Sequence, residues 1–396
     1  MSNIENLSKN TWVTLLLCGR FGERDIEARP LNQSEFHELD HALEICKLAP
    51  EDLIGVSPMD LKAAGVIHGL SAKRLARLLT RKVDLEKTID VWSQLGIWVV
   101  GERDEHYPTR LRQRLKSARP PLLFGAGVMD CLDMGGVCIV GSRASGEPAL
   151  QFSNALGKRC ASEGLTVISN DMRGVDREAV STALENSGQA VIVLSDRLEK
   201  SVVSRRYRDA LANKQLTMVT PFSPNASFSV ANAIRLNRYQ YVLSDVAVIV
   251  ETRRKGGVWT GADENRIEKW VPAFVRVDHP MSPGTFALLH LGLHAITQND
   301  VESTDSLGDF FIAQASKDIN NKNHDAINTD EFVKPKDLYS FFLAELQNIA
   351  KKTPRTETYI MKYFEIERIQ ARKWLVRAVE EGLIDKENGK DSYTAK

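Results

Sequence analysis

One short segment combines the three kinds of group that bind phosphate. Gly141, Ser142 and Arg143 follow directly after an uninterrupted apolar run. Glycine lets the backbone approach an anion, the serine hydroxyl donates a hydrogen bond, and the arginine fork matches phosphate oxygens. Taken alone, the triplet is equally typical of a tight turn with a surface arginine. The chemistry that it indicates is non-covalent binding of a phosphate group.

Two further segments carry residues of the same types. Ser169 opens a polar stretch that contains Arg173 and Gly174, and Asn237 precedes Arg238 farther along the chain. Arg173 stands one residue before a glycine, where nothing in a turn requires an arginine. We therefore predict that it contacts phosphate, as the guanidinium of Arg238 can also do.

A glycine-rich loop supplies the last group of candidate ligands. Such a loop between a strand and a helix directs backbone amides and the helix dipole at an anion. The spacing is not that of a Walker loop, and Trp259 within it can either stack on a base or pack beneath the loop. The predicted ligands here are Lys255, Gly256, Gly257, Thr260 and Gly261.

Two acidic residues near these segments are interpreted as structural. Asp176 stands where a helix begins, so we expect its side chain to cap the free amides of the first turn. Glu251 ends an apolar strand, and we assign it a structural role as well.

The elements that must position these residues alternate between strand and helix. Apolar runs such as Val137–Val140, Leu216–Thr220 and Val246–Val250 predict strands, and Val271–Val277 is expected to be the last one. Helical segments such as Val230–Leu243 separate them, and a later apolar helix is expected to carry both His290 and His294. This alternation predicts an α/β fold. We expect an extended Rossmann-like parallel sheet with helices on both faces. The carboxyl ends of parallel strands lie at one edge, so segments far apart in the chain can meet in one crevice.

The pattern divides the chain into four parts. Residues 1–100 read as a small helical domain and residues 101–297 as the Rossmann-like domain. Residues 298–334 are rich in Asn, Asp and Ser and are predicted to be a linker. Residues 335–396 read as three helices and a hairpin, which is typical of a winged-helix-like module.

Two local patterns leave their roles open. The stretch Gly65–Leu70 is similar to a helix-hairpin-helix turn, but a plain turn between helices is the favoured interpretation. In the C-terminal module, a predicted Asn388-Gly389 hairpin turn follows a basic third helix. That helix can bind DNA or serve as a protein or dimer surface through Arg368, Arg372, Lys373 and Arg377.

Composition limits the possible functions. The chain has 396 residues, 43% of them hydrophobic, with 52 basic Lys and Arg residues balanced by 52 acidic ones. Any surface for nucleic acid must therefore be a local patch. The five cysteines contain no C-x-x-C pair, and His290 and His294 lack the glutamate of a zinc motif, so no metal site is expected. The absence of a long apolar run or a signal sequence predicts a cytoplasmic protein without a membrane segment.

Several motifs, in this order, resemble the DNA-processing protein A family, also called DprA or Smf. The resemblance covers nearly the whole chain. The matching segments are Tyr107-Pro108, Pro121 to Gly127, Val140 to Arg143, Ser169 with Gly174 to Asp176, Asn237-Arg238, Glu251 and Gly257.

This resemblance implies a non-enzymatic protein that binds single-stranded DNA in a positively charged pocket. It further implies a homodimer, no cofactor, and the loading of a RecA-type recombinase in recombination or transformation. Three positions depart from the family pattern: Asn170 replaces a glycine, Val180 a histidine, and Leu236 the first arginine of Arg-Asn-Arg. A divergent member with a role in mobile elements or phage defence is consistent with these changes.

Two alternatives use the same Rossmann-like pocket. Phosphoribohydrolases of the lysine-decarboxylase-like type carry Pro-Gly-Gly-x-Gly-Thr-x-x-Glu, which the loop from Lys255 to Asp263 matches in part. Trp259 stands in place of the third glycine, and Asp263 is one methylene shorter than the catalytic glutamate. The other alternative is a sensor that holds a small nucleotide signal and passes the event to the C-terminal module.

Basic residues are concentrated in the Rossmann-like segment. We expect Arg143, Arg173 and Arg238 to meet in one groove at the edge of the sheet, where they would follow a phosphate backbone. Ten of the cations in this domain, several of them at predicted strand ends, are Arg143, Arg173, Arg205, Arg206, Arg208, Arg235, Arg238, Arg253, Arg254 and Lys255.

Overall fold

A nine-stranded sheet forms the centre of the computed structural model. Its order is β1-β2-β6-β5-β4-β3-β7-β8-β9, with antiparallel pairing at β1–β2 and β2–β6 and parallel pairing elsewhere. The strands are β1 (Trp98–Gly101), β2 (Leu122–Ala126), β3 (Val137–Gly141), β4 (Val167–Ser169), β5 (Ala190–Val193), β6 (Leu216–Thr220), β7 (Val246–Glu251), β8 (Ala273–Arg276) and β9 (His294–Ile296). The structure describes residues 7–22, 25, 27–63, 65, 67, 70–324, 338–351, 353–364, 368–386 and 392–395.

Helices precede the sheet and cover both of its faces. Those before β1 are α1 (Lys9–Cys18), α2 (Gln33–Ile45), α3 (Pro58–Ala63), α4 (Ala72–Leu79) and α5 (Lys82–Gln94). Those that accompany the sheet are α6 (Thr109–Leu115), α7 (Cys131–Met134), α8 (Glu147–Ser162), α9 (Val175–Glu185), α10 (Leu198–Val202), α11 (Arg208–Ala212), α12 (Val230–Leu243), α13 (Gly257–Glu268) and α14 (Pro283–His290). The predicted α/β class, with a mostly parallel sheet between helices, is confirmed.

The first five helices pack together and also against the sheet. Phe36 of α2 and Leu75 of α4 belong to one apolar cluster, whereas Leu15 of α1 and Trp92 of α5 belong to the cluster beneath the sheet. The ring of Trp92 meets that of Phe124 edge-on, with centroids 5.2 Å apart. The N-terminal helices are thereby fixed on the sheet, while the predicted division at residue 100 stays a prediction. Residues 66, 68 and 69 of the Gly65–Leu70 turn lie outside the described residues.

The order of the strands reverses direction between β3 and β7. From β3 the chain passes to β4, β5 and β6 on one side, and from β7 it passes to β8 and β9 on the other. All five residues of β3 are buried, as expected for a strand covered on both faces. An open α/β sheet binds its ligands at such a reversal, outside the carboxyl ends of the strands.

Two helices occupy most of the segment predicted to be a linker. They are α15 (Gln298–Ser303) and α16 (Leu307–His324). Leu307 and Phe311 are buried in the main core, and the Phe311 ring meets Phe274 of β8 edge-on at 4.9 Å. The prediction of an unstructured linker from residue 298 is wrong, because sparse apolar residues at helical spacing suffice to dock a helix on the existing core.

The end of the sheet also differs from the prediction. We expected the strand around residues 271–277 to close the series, but β9 pairs with β8 in parallel. His290 and His294 were predicted to share one helix, but His290 ends α14 and His294 begins β9. The three-residue strand is too short to give a recognisable sequence pattern.

A separate small module follows the segment from residue 325 to 337, which lies outside the described residues. It has helices α17 (Leu338–Ala350), α18 (Glu357–Phe364) and α19 (Arg368–Glu380). Strands β10 (Arg355–Thr356), β11 (Ile384–Lys386) and β12 (Ser392–Ala395) form a sheet in the order β10-β12-β11. Three helices with a small antiparallel sheet match the predicted winged-helix-like pattern. The Asn388-Gly389 turn lies outside the described residues.

Neither a membrane helix nor a metal cluster occurs in the part of the chain that the structure describes. No helix there is long and apolar enough to span a bilayer. No three His, Cys, Asp or Glu side chains there come together in a way that could hold a metal ion.

The docking of α16 gives a stability prediction. Phe311→Ala removes a ring that is 5% exposed, and we expect it to lower the free energy of unfolding by about 3–5 kcal/mol. The matched control is Ile312→Ala on the same helix, where the side chain is 66% exposed and the expected change is below about 0.5 kcal/mol. Urea unfolding measures both values, and equal effects would show that α16 is not docked.

Candidate functional site

An open pocket of ≈ 500 Å³ lies at the reversal point between β3 and β7. Its floor is formed by the end of β3 at Gly141 and by the residues that follow β7 at Thr252. A register shift beside Gly141 brings this glycine next to Glu251, the last residue of β7. We refer to this cavity as the switch-point pocket.

Two helices begin at the switch-point pocket without a side-chain cap. The N-cap of α9 is Gly174 and that of α13 is Gly256, both with φ of +96°. The first backbone amides of a helix have no acceptor within the helix, and the helix dipole makes this end positive. Helix α13 therefore offers free backbone donors to an anion in the pocket. The first amides of α9 are already used, because the Arg177 amide donates to the Met172 carbonyl oxygen at 3.1 Å and the Asp176 carboxyl accepts from its own backbone.

Gly174 is required by a close approach between two loops. A Cβ at this position would lie 2.4 Å from the Ser142 carbonyl oxygen and 3.1 Å from the backbone of Arg143. Because only glycine fits, the loop before α9 packs directly onto the loop after β3. This contact places Arg173 in the loop that lies against Arg143.

Seven of the predicted ligands line the switch-point pocket, and the structure adds others. Arg253 and Phe228 line the pocket but were not predicted as ligands. Arg253 was predicted only as one of the basic residues of this domain. Nothing in the local sequence places Phe228 at the site, because it precedes α12 and reaches the pocket only through the fold. The seven lining residues are Gly141, Ser142, Arg143, Asn237, Lys255, Gly256 and Gly257.

The cations of the switch-point pocket are exposed. Arg143, Arg253 and Lys255 form no ion pair with an acid anywhere in the described residues. Other arginines of the sheet domain form ion pairs. Arg177, for example, pairs with Asp171 at 3.3 Å. The pocket thus concentrates free positive charge in a protein without net charge.

Asn237 supports the glycine-rich loop. Its Nδ2 donates a hydrogen bond of 2.7 Å to the Gly257 carbonyl. A Cβ on Gly261 would lie 2.7 Å from the Asn237 Cβ, so helix α13 packs closely against α12 at this point. Asn237 therefore positions the start of α13 and also lines the pocket.

Asp176 is not the N-cap that the sequence predicts. Helix α9 begins one residue earlier, and the Asp176 side chain is buried and turned toward the strand ends. The Ser169 hydroxyl lies 3.1 Å from Asp176 Oδ1 and 2.6 Å from the Ile139 carbonyl oxygen. Both distances are those of hydrogen bonds that the Ser169 hydroxyl donates, with its single proton shared between the two acceptors.

Burial raises the pKa of Asp176 to about 8, although hydrogen bonds from Ser169 and from the backbone, including that of Gly141, act in the opposite direction. The side chain is therefore mostly protonated at neutral pH. A neutral carboxyl beneath the pocket does not repel an anion bound above it.

Six of the predicted ligands are not among the lining residues of the switch-point pocket: Ser169, Arg173, Gly174, Arg238, Thr260 and Gly261. Of the three arginines expected to meet in one groove, Arg143 lines the pocket, Arg173 lies in the adjoining loop, and Arg238 pairs with Glu264 at 2.7 Å. Thr260 lies within α13 and Ser169 is buried under the pocket. Helical periodicity turns residues 237 and 238 to different sides of α12, which the motif alone does not reveal.

Glu251 and the residues that depart from the family pattern have structural surroundings. Glu251 is half-buried at the end of β7, and its Oε2 accepts no hydrogen bond from the described residues. Asn170, in place of a glycine, accepts a hydrogen bond of 2.6 Å from the Met172 amide and so closes a local turn. Val180 and Leu236 are both buried in apolar clusters.

The residues of the enzymatic alternative do not form a site. Asp263, which matches the catalytic glutamate of the phosphoribohydrolases, pairs with Arg266 at 2.7 Å and does not line the pocket. Trp259 packs, partly buried, against the apolar cluster beneath β7 and β8. Of the two roles left open for Trp259, the structure shows packing beneath the loop.

Comparison with known families matches the sequence between residues 98 and 304. This range fits the model of DNA recombination-mediator protein A and covers more than half of the chain. The chain belongs to the DNA recombination-mediator protein A family. The match includes every strand of the large sheet, as well as the switch-point pocket, and it confirms the resemblance to the DprA family.

Solved structures similar to this one have low sequence identity. DNA processing protein A from Streptococcus pneumoniae is 17% identical, with a TM-score of 0.49, over 68% of this chain and 96% of that chain. The same protein from Helicobacter pylori, studied for its single-stranded DNA binding mode, is 20% identical, with a TM-score of 0.45, over 56% and 96%. A molybdenum cofactor carrier protein from Chlamydomonas is 18% identical with a TM-score of 0.28, over 40% and 86%. A comparison with curated protein sequences found no match.

The raised pKa of Asp176 gives a prediction about the pH dependence of stability. Between the unfolded pKa of about 4 and the folded pKa of about 8, the folded protein binds the additional proton, so its stability falls as the pH rises. Asp176→Asn keeps the shape without a titrating proton, and we expect a flatter dependence of the free energy of unfolding over this window. Urea unfolding at several pH values measures the slope, and equal slopes for the two proteins would contradict the assignment.

Proposed function

We propose that this protein binds the phosphate backbone of single-stranded DNA in the switch-point pocket, without catalysing a reaction. The observation that carries this proposal is the group of unpaired cations, Arg143, Arg253 and Lys255, beside the uncapped N-terminus of α13. Phosphates bind to such donors and release counterions, which gives affinity that does not depend on the base sequence.

An apolar lip beside the pocket favours single strands over duplexes. Phe228, Val230 and Ile234 line the pocket and remain 44%, 67% and 45% exposed. An exposed ring next to phosphate ligands can stack on an unpaired base, with about 1–3 kcal/mol for each base. In a duplex the bases are already stacked and paired, so this contact is unavailable.

The central test removes two free cations of the pocket. We expect Arg143→Ala combined with Arg253→Ala to weaken binding of an oligothymidylate and to reduce the slope of log affinity against log salt by about 1.4, the value for two single-strand phosphate contacts. Fluorescence anisotropy titrations across a range of salt concentrations measure both quantities, with a duplex of equal length alongside.

The control removes the same charge at the opposite edge of the sheet. Lys214 and Lys269 are exposed, have positive φ and precede β6 and β8. Replacing both by asparagine, which tolerates this backbone conformation, should leave affinity and salt slope unchanged. Arg238→Ala should have a smaller effect than the pocket variant. Equal losses for the pocket and control variants, or wild-type preference for duplex, would exclude the proposed site.

Phe228 gives a separate prediction about strand selection. We expect Phe228→Ala to weaken binding of the single strand by about five- to a hundredfold, the loss that one stacked base implies, with little change in the salt slope. Phe228→Tyr, which retains the aromatic face, should restore binding. A loss that tyrosine does not rescue would mean that the ring supports the loop and does not contact DNA.

The proposed activity does not include hydrolysis of a nucleotide. Asp263 is held by Arg266 outside the pocket. Among the described residues, the one acidic residue of the lining is Asp176, which is buried and hydrogen-bonded to Ser169. Incubation with nucleoside monophosphates should release no free base. Release of base would favour the phosphoribohydrolase alternative, and competition by a cyclic nucleotide with DNA would favour the nucleotide sensor.

We further infer that the protein acts in the cytoplasm as a homodimer that loads a RecA-type recombinase on single-stranded DNA. The family assignment to recombination mediators supports this role. Analytical ultracentrifugation measures the mass of the dimer. Loading is measured as a shorter lag before the recombinase hydrolyses ATP on single-stranded DNA coated with a single-strand-binding protein. An unchanged lag would contradict the loading step.

We assign the C-terminal module to contacts with protein in preference to DNA. Arg368 and Arg372 both donate hydrogen bonds to the Glu357 carboxylate, and Arg377 forms an ion pair with Glu381 at 2.8 Å. Burial opposes ionisation of Glu357, but the two arginines lower its pKa below the ordinary value. Three of the four predicted cations of α19 are thus already paired. Unchanged DNA affinity after deletion of residues 335–396 would support this assignment.

A further inference from the structure

We propose that a second pocket, between the N-terminal helices and the sheet, takes the bases of the DNA strand as it leaves the switch-point pocket. This inference rests on the proposed function. The second pocket measures ≈ 650 Å³ and is lined by the end of α1, the start of α2, the loop after β6 and the start of α12. We refer to it as the helical-side pocket.

The two pockets adjoin each other at one side chain. Phe228 lines both of them, and it stands just before the start of α12. On one side of Phe228 are the free cations of the switch-point pocket. On the other side the lining includes Ser229 and Asn232 in the first turn of α12. A strand whose base stacks on Phe228 is therefore led directly from one pocket into the next.

The lining of the helical-side pocket suits unpaired bases. Among the residues that the structure describes, it contains two arginines, Arg20 and Arg235, and no aspartate or glutamate. Arg235 lies over the Phe222 ring, 5.9 Å from its centroid, and donates a hydrogen bond of 3.2 Å to Gln33 Oε1. Amide side chains and aromatic or guanidinium faces are the groups that recognise the edges and planes of single-stranded bases.

A third pocket shows why the strand would take this direction. This cavity of ≈ 300 Å³ at the ends of β4 and β5 also adjoins the switch-point pocket, with which it shares Asn170, Met172 and Leu236. Its lining contains two acids, Asp171 and Asp196, together with two cations, Arg197 and Lys200, so its formal charge is balanced. Among the described residues, the helical-side pocket has two arginines and no acid in its lining, and it therefore attracts a phosphate backbone more strongly.

The experiment compares oligothymidylates of about four and about sixteen nucleotides, near the limits of site sizes in single-strand-binding folds. We expect Arg20→Ala combined with Arg235→Ala to weaken binding of the long oligonucleotide about tenfold and to leave binding of the short one within twofold. Both residues line the helical-side pocket and neither lines the switch-point pocket. Because both side chains are exposed, their replacement should not disturb the fold. Thermal unfolding checks this directly.

A charge-matched control replaces two exposed lysines that line neither pocket, Lys87 of α5 and Lys158 of α8, by alanine. It should not change the affinity for either length. If the pocket variant and this control behave alike, the helical-side pocket does not bind DNA. If the short oligonucleotide binds independently of Arg143 and Arg253, the proposed function fails instead.

Photo-crosslinking gives a second measurement that requires no substitution. A long oligonucleotide with 4-thiothymidine at successive positions should crosslink to peptides from residues 18–33 or 221–226, and the short one should not. Crosslinks confined to peptides from residues 141–144, 227–229 and 252–258 would overturn the inference while leaving the proposed function intact.

Discussion

The reversal of strand order between β3 and β7 is the constraint on which the site depends. Helix α8, after β3, packs on one face of the sheet with Phe152 and Leu156, whereas α13, after β7, packs on the other with Ala262. Because the two connections leave in opposite directions, a crevice opens between them at the carboxyl edge. The loops beside it then bring the start of α13, the start of α9 and Arg143 to one place.

Charge balance within this crevice is local. The protein has no net charge, and many of its arginines are paired with acids, yet the rim of the switch-point pocket keeps its cations free. The one carboxyl group in the lining, Asp176, is buried and largely protonated at neutral pH. An anion therefore meets guanidinium, ammonium and amide donors without an opposing negative charge, which is the electrostatic condition for holding a polyanion.

The regular part of the fold follows closely from the sequence. Long, strongly patterned segments such as α12 and β6 begin and end at the residues that the pattern predicts, because burial of an apolar face determines them. The short strand β9 and the helices α15 and α16 were not predicted, since their stability comes from contacts with a core that the rest of the chain forms. For the same reason, the local sequence around Phe311 resembles that of a linker.

The sequence by itself determined the class of fold, the family and the strand-end segments that carry phosphate-binding groups. It could not decide which side chains of these segments face the same cavity. Asn237 and Arg238 are neighbours in one motif, yet one lines the pocket and the other pairs with Glu264. Phe228 is remote from every motif and reaches the pocket through the packing of α12. Only the tertiary structure fixes these directions, because they depend on how helices rotate and pack against the sheet, and local sequence spacing does not record that rotation.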